Sequence, residues 1–122
     1  MRMMGHTPTL TYITHLEDTS QGSTITFTAA NLGTAAVDRY IKLGVYAAKL
    51  NTFWSANPIT SVTIGGVTAT IAGSQTLTSV SSGAVVAIYS ALVPTGATGN
   101  IIITLAAATY SCGIAIWTAT GL

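Results

Sequence analysis

The feature that most constrains this chain is a period of two. Apolar residues alternate with threonine or serine from one end to the other, and no window of twelve or more residues carries a 3.6-residue apolar rhythm. In "STITFTA" (23–29), Ile25 and Phe27 share one face of a strand, while Thr24, Thr26 and Thr28 share the other. In "DRYIKLGVYAA" (38–48), Ile41, Leu43 and Val45 oppose Tyr40, Lys42 and Tyr46. In "ITSVTIGGVTATIAG" (59–73), a Gly65-Gly66 turn folds the chain back so that Ile64 pairs with Val67 and Val62 with Ala69. The chain has 22 threonines, which are β-branched and suit a pleated, half-buried surface. Their number has a structural explanation that requires no chemistry.

Strands are expected at 9–15, 23–29, 38–48, 59–64, 67–72, 75–80, 84–92, 99–106 and 110–118. They are spaced by turns such as Gly65-Gly66, "SSG" and "PTGATG". This rhythm predicts an all-β fold, an antiparallel β-sandwich of jelly-roll type with about eight to nine strands. Residues 1–8 form an N-terminal arm, since Pro8 blocks earlier strand pairing, and 9–122 form one domain. A chain of 122 residues buries enough surface to fold without a metal or a disulfide.

The outward faces carry hydroxyls where lysine or glutamate would be usual. Only 6% of residues are charged, namely Arg2, Glu17, Asp18, Asp38, Arg39, Lys42 and Lys49, and none follows Lys49. A typical domain has about 25%. A net charge of +1 gives little self-repulsion, so copies at high concentration should associate. Exposed strand edges in such a chain are expected to be covered by another subunit. Four basic residues offset by three acids make no basic stripe, which argues against nucleic acid as a partner.

No secretory signal is apparent in "MRMMGHTPTL". The uncharged run 101–117 has nearly the length of a membrane helix, but its isoleucine triplet, Trp117 and the loop-like "AAATYS" favour two strands, and no membrane partner is expected.

Catalytic signatures are missing: there is no phosphate-binding loop, no G-x-S-x-G elbow, no cysteine pair at zinc spacing and no H-E-x-x-H. The single Cys112 reads as a small buried thiol on the same strand face as Tyr110 and Ile114. "HLED" (His15 to Asp18) offers an imidazole and two carboxylates, but reads as a polar strand end and turn in preference to a metal site. Asp38 and Arg39 are placed to pair with groups on a neighbouring strand or chain, and an exposed pair of that kind contributes little to stability. The chain is expected to be no enzyme and to need no cofactor or metal. In the irregular segment 49–58, Phe53 and Trp54 stand side by side; Trp54 either caps one end of the core or anchors an interface.

The wording of the strands is informative in itself. The succession "TPTLTYI", "STITFTAANLGTAAVDRYIKLGVYA", "ITSVTIGGVTAT" and "IYSALVPTGATGNIIITLAAATYSCGIAIW" resembles that of small β-rich virion-associated proteins of tailed bacteriophages and prophages. The likeness covers residues 7 to 118 and is most specific in "GTAAVDRYI", "SVTIGGVTAT" and "VPTGATGNIIIT", which are turn and strand patterns without a catalytic motif.

The resemblance implies a virion component and leaves its place in the particle open. With the lack of charge and of chemistry, the leading expectation is a head decoration or cement protein. It would be made in the host cytoplasm and bound to the outer capsid surface, with the major capsid protein as partner. A homo-oligomer is expected, by preference a trimer. Arg2 and His6 of the arm, with Tyr40, Phe53 and Trp54, are the candidate interface residues. Two alternatives are a tail-fibre or head-fibre module binding host glycan through Tyr40, Tyr46, Phe53 and Trp54, and a tail-tube or connector subunit using the 59–72 hairpin for ring stacking.

Overall fold

Ile25 and Phe27 drop into the interior while the threonines between them face out, and this alternation, repeated strand by strand, builds the molecule. The computed structural model describes residues 7–50, 56–78, 82–107 and 111–122. They form nine strands: β1 (Thr9–Asp18), β2 (Thr24–Asn31), β3 (Tyr40–Leu50), β4 (Ile59–Ile64), β5 (Val67–Thr68), β6 (Thr70–Thr78), β7 (Ser82–Leu92), β8 (Thr98–Leu105) and β9 (Ser111–Thr120). Every pairing is antiparallel. A five-stranded sheet in the order β1-β9-β3-β7-β6 packs on a four-stranded sheet in the order β2-β8-β4-β5.

The core lies between the sheets. Ile41, Leu43 and Val45 of β3, Val85, Ala87 and Tyr89 of β7, and Cys112, Ile114 and Ile116 of β9 come from one side. Ile25 and Phe27 of β2, Val62 and Ile64 of β4, and Ile101, Ile103 and Leu105 of β8 come from the other. Both faces expected for β2 and β3 are those observed. The run 101–117 contributes to β8 and β9, and among the described residues no helix is long and apolar enough to cross a membrane.

The Gly65-Gly66 turn forms as its sequence requires, with φ of +57° and +83°, and pairs Ile64 with Val67 and Thr63 with Thr68. Beyond it the strand limits differ from expectation. The break falls at Ala69, whose N–H donates to the Val62 carbonyl (2.9 Å) before the chain leaves the four-stranded sheet to become β6 at the edge of the other. The expected strands 67–72 and 75–80 are therefore replaced by a two-residue β5 and a continuous β6. Gly73, which suggested a break, lies at a bulge where the register shifts between Ile71 and Gly73. "HLED" is likewise strand to its end, β1 running through Asp18.

Bulges mark the sheet edges. β1 shifts register between Tyr12 and Thr14, β2 between Phe27 and Ala30, and β6 between Ile71 and Gly73, while the remaining edge strand, β5, has two residues. Kinked or very short edges template poorly for further pairing. Edge protection is thus built into the chain. The β2 bulge holds Ala29 at φ +50°, its N–H donating to Asn100 Oδ1 (2.9 Å). A left-handed alanine costs about 1 kcal/mol. Ala29 is exposed and loses no packing on truncation, so Ala29→Gly should stabilise the fold by about 0.5–1 kcal/mol, read as a higher urea midpoint.

The largest correction concerns Arg39, which is fully buried, not part of an exposed pair. Its five N–H groups donate to five main-chain carbonyls: Nε to Val93, Nη1 to Leu32 and Gly33, and Nη2 to Thr95 and Gly96. Gly33 (φ +76°) and Gly96 (φ +86°) take the left-handed conformations that turn two of these carbonyls inward. Burial lowers the pKa of the guanidinium. Asp38 faces elsewhere and accepts the Gly121 N–H (2.9 Å), tying down the end of β9.

Candidate functional site: the outer face of the five-stranded sheet

The two outer faces of the sandwich differ chemically. On the four-stranded sheet, cross-strand register aligns Thr24, Thr104 and Ser61 in one row and Thr26, Ile102, Thr63 and Thr68 in the next. Hydroxyls dominate, and neither row holds a charge. This is the threonine-covered surface that the sequence announces.

The five-stranded sheet presents a different surface. Register sets four rows across it: Leu10, Ala119, Tyr40 and Leu92; then Tyr12, Trp117, Lys42, Ser90 and Thr70; then His15, Ala115, Gly44, Ile88 and Gly73; then Glu17, Gly113, Tyr46, Val86 and Gln75. Leu10 (66% exposed), Ile88 (54%), Tyr12 (51%) and Val86 (50%) stand out into solvent, with Leu92 and Tyr46 also exposed. Single exposed apolar residues are ordinary, but a contiguous apolar face marks a contact surface.

Glycine shapes the middle of this face. Gly44, Gly73 and Gly113, with Ala115, lie within an open hollow of about 500 Å³, walled by His15, Glu17, Tyr46, Gln75, Val86 and Ile88. The Tyr46 ring lies directly over Gly113, where a Cβ would stand 2.1 Å from Cε1; only glycine lets the ring settle there. A Cβ on Gly44 would meet Trp117 at 3.7 Å and Ala115 at 4.0 Å, ordinary contacts, so this position is open by composition and not by steric need.

The β1 bulge brings the polar rim together. Strict alternation would send Tyr12 and His15 to opposite faces; the register shift after Tyr12 puts both outside, where the Tyr12 hydroxyl and His15 Nδ1 hydrogen-bond at 2.9 Å. Tyr12 also meets Trp117 edge to face at 5.4 Å. Lys42 Nζ donates to Ser90 Oγ (2.9 Å) and sits 5.3 Å from the centre of the Tyr40 ring, a cation–π contact. Glu17 and Lys42 are the two charged residues in these rows, and they have opposite signs.

Of the candidate interface residues, Tyr40 is on this face, half-buried beneath Lys42. Arg2, His6, Phe53 and Trp54 lie outside the described residues, as does Tyr110. His15 and Glu17 share the outer face while Leu16 packs towards the core, and Asp18 closes the following turn by accepting from the Ser20 N–H (2.7 Å) and hydroxyl. Those two bonds hold its carboxyl below the usual range. Among the described residues no group of three His, Cys, Asp or Glu side chains could hold a metal.

Family models, curated proteins and solved structures offer no match to this chain. Sequence reasoning missed Val86, Ile88 and Gly44, although one signal pointed to them: "AVVAIYSAL" in β7 is an apolar run, not an alternation, and such a run belongs to a strand covered on both faces.

Cys112 sits on the inner side of the same sheet, fully buried. Burial first, and then the negative charge of Asp18 across the strand pair, pushes its pKa from 9.0 up to about 12. A disulfide reagent at pH 8 should leave the native thiol untouched and modify it only in urea; fast native reaction would contradict the burial. The unfolded chain ionises this thiol near pH 9 and the folded chain does not, so its contribution to stability falls as pH rises from 9 towards 12.

Proposed function

We propose that this chain is a structural, non-catalytic component of a bacteriophage virion. In this reading it is a decoration or cement protein seated on the outer capsid surface, and it works as a homo-oligomer. The observation that carries the reading is the uncharged hydroxyl face of the four-stranded sheet, with Thr24, Thr26, Thr63, Thr68, Thr104 and Ser61 in adjoining rows. Seating such a face on a shell strands no charge, and each hydroxyl rotates to find a donor or acceptor on the partner. A lysine-rich face would lose the hydration of every ammonium on docking.

A jelly-roll reading of the sandwich supports the same conclusion, since that architecture recurs in viral capsid and lectin domains. It draws support from the way β1, β9, β3 and β7 adjoin in one sheet, with β6 added at its edge, while β2, β8, β4 and β5 form the other. Binding the assembled shell and not its free subunit stabilises the shell by linkage. Particles that carry the chain should therefore withstand higher temperature than particles without it, and Thr26→Lys or Thr63→Lys should abolish attachment. Equal heat resistance with and without the chain would overturn the reading.

One observation favours a second reading, a glycan-binding module. The exposed Tyr46 ring is seated on Gly113 in one row with Glu17 and Gln75, an aromatic surface beside polar groups. Binding to whole host cells that is lost in Tyr46→Ala would favour it.

A further inference from the structure

We infer that the outer face of the five-stranded sheet is the contact between two copies of this chain. They pack about a two-fold axis that exchanges β3 and β7, so that Ile88 of each copy fills the hollow over Gly44 of the other. The inference stands apart from the shell reading, because it concerns the purified chain alone.

Four observations carry it. Ridge and hollow are neighbours in one register row: Ile88 pairs with Gly44, and Val86 with Tyr46 beside Gly113. A rotation that exchanges β3 with β7 lays each Ile88 over the partner's Gly44 and each Val86 against the partner's Tyr46, which is the self-complementarity an isologous contact requires. Area is sufficient: the axis lays β9, β3, β7 and β6 over the partner's β6, β7, β3 and β9, and four strands about 4.8 Å apart with about eight residues at roughly 3.4 Å each present roughly 520 Å² in projection, close to the ~600 Å² per partner at which stable interfaces begin. Charge permits it, since Lys42 already has Ser90 and Tyr40 as partners, and Glu17, on the edge strand β1, lies outside the overlap. Edge-to-edge pairing is a poor alternative, because three edge strands are bulged and the fourth has two residues.

The order of the oligomer follows from the number of patches. A ring of three needs two different surfaces that fit each other, whereas one self-complementary face closes after two copies. The hydroxyl face of the other sheet offers no matching apolar surface. The structure thus points to a dimer in place of the trimer expected from sequence.

Sedimentation equilibrium over a concentration series tests this with the full chain. The wild type should show twice the chain mass. Ile88→Lys, at a side chain already half in solvent, should weaken pairing by roughly 100-fold or more through a buried, unpaired charge, with an unchanged circular dichroism spectrum. Gly44→Leu fills the hollow with a side chain whose Cβ the fold accepts, and should weaken pairing by roughly tenfold or more. Thr26→Lys on the opposite face should leave the dimer intact. A monomer or a trimer at all concentrations overturns the inference, as does a dimer that survives both Ile88→Lys and Gly44→Leu or is broken by Thr26→Lys. A monomer that loses attachment to particles through Ile88→Lys would also overturn it, and would give this face to the shell.

Discussion

Arg39→Met is expected to destabilise the fold by about 3–5 kcal/mol, the largest effect of any single substitution considered. Met reaches as far as the position of Nε and removes all five donors. The carbonyls of Leu32, Gly33, Val93, Thr95 and Gly96 then face one another around an apolar chain. The main chain of the same residue is also committed: its N–H donates to Ala36 (3.0 Å) and its carbonyl accepts from Val93 (3.0 Å). One side chain thus fastens the connection between β2 and β3 to the connection between β7 and β8, at the end of the sandwich where the chain crosses between sheets. Arg39→Lys separates charge from geometry. An ammonium keeps the charge but cannot span five acceptors in a planar fork, so about 2–4 kcal/mol should still be lost. At about 3–5 °C per kcal/mol for a domain of this size, both variants should melt visibly lower by differential scanning calorimetry. A lysine variant with the wild-type midpoint would mean that the fork geometry is irrelevant.

The second large effect is expected in the isoleucine triplet of β8. Ile103 is fully buried between Ile25 of β2 and Val62 of β4, and Ile103→Ala should cost about 3–4 kcal/mol through lost transfer energy and the cavity left behind. Its neighbour Ile102 points to the hydroxyl face, half-buried between Thr26 and Thr63, so Ile102→Ala should cost under about 1 kcal/mol. Chemical denaturation of the pair reads the register directly. Equal losses at both positions would contradict the assignment of the two faces.

Much of this architecture is legible in the residues. Strands with one wet face announce themselves by alternation, and β2, β3 and the Gly65-Gly66 hairpin were placed with their correct faces for that reason. What escapes sequence reading is whatever depends on partners distant in the chain. The crossing at Ala69 uses no glycine or proline, because a twisted strand passes between sheets without a special backbone conformation. Bulges in β1 and β6 invert the face of everything beyond them, so that Tyr12 and His15 meet although they are three positions apart. Arg39 looks like any charged loop residue until two loops are brought around it. The apolar outer face was visible only as the run in β7, which periodicity alone cannot distinguish from an ordinary core strand.

Whether this chain is a surface component of a virion shell is decided by a count. Particles purified from cells that produce the chain would be measured by quantitative mass spectrometry against the major shell protein. Hundreds of copies are expected, in simple ratio to the shell subunit. A handful of copies would move the chain to a fibre or the tail, and none would contradict the claim outright.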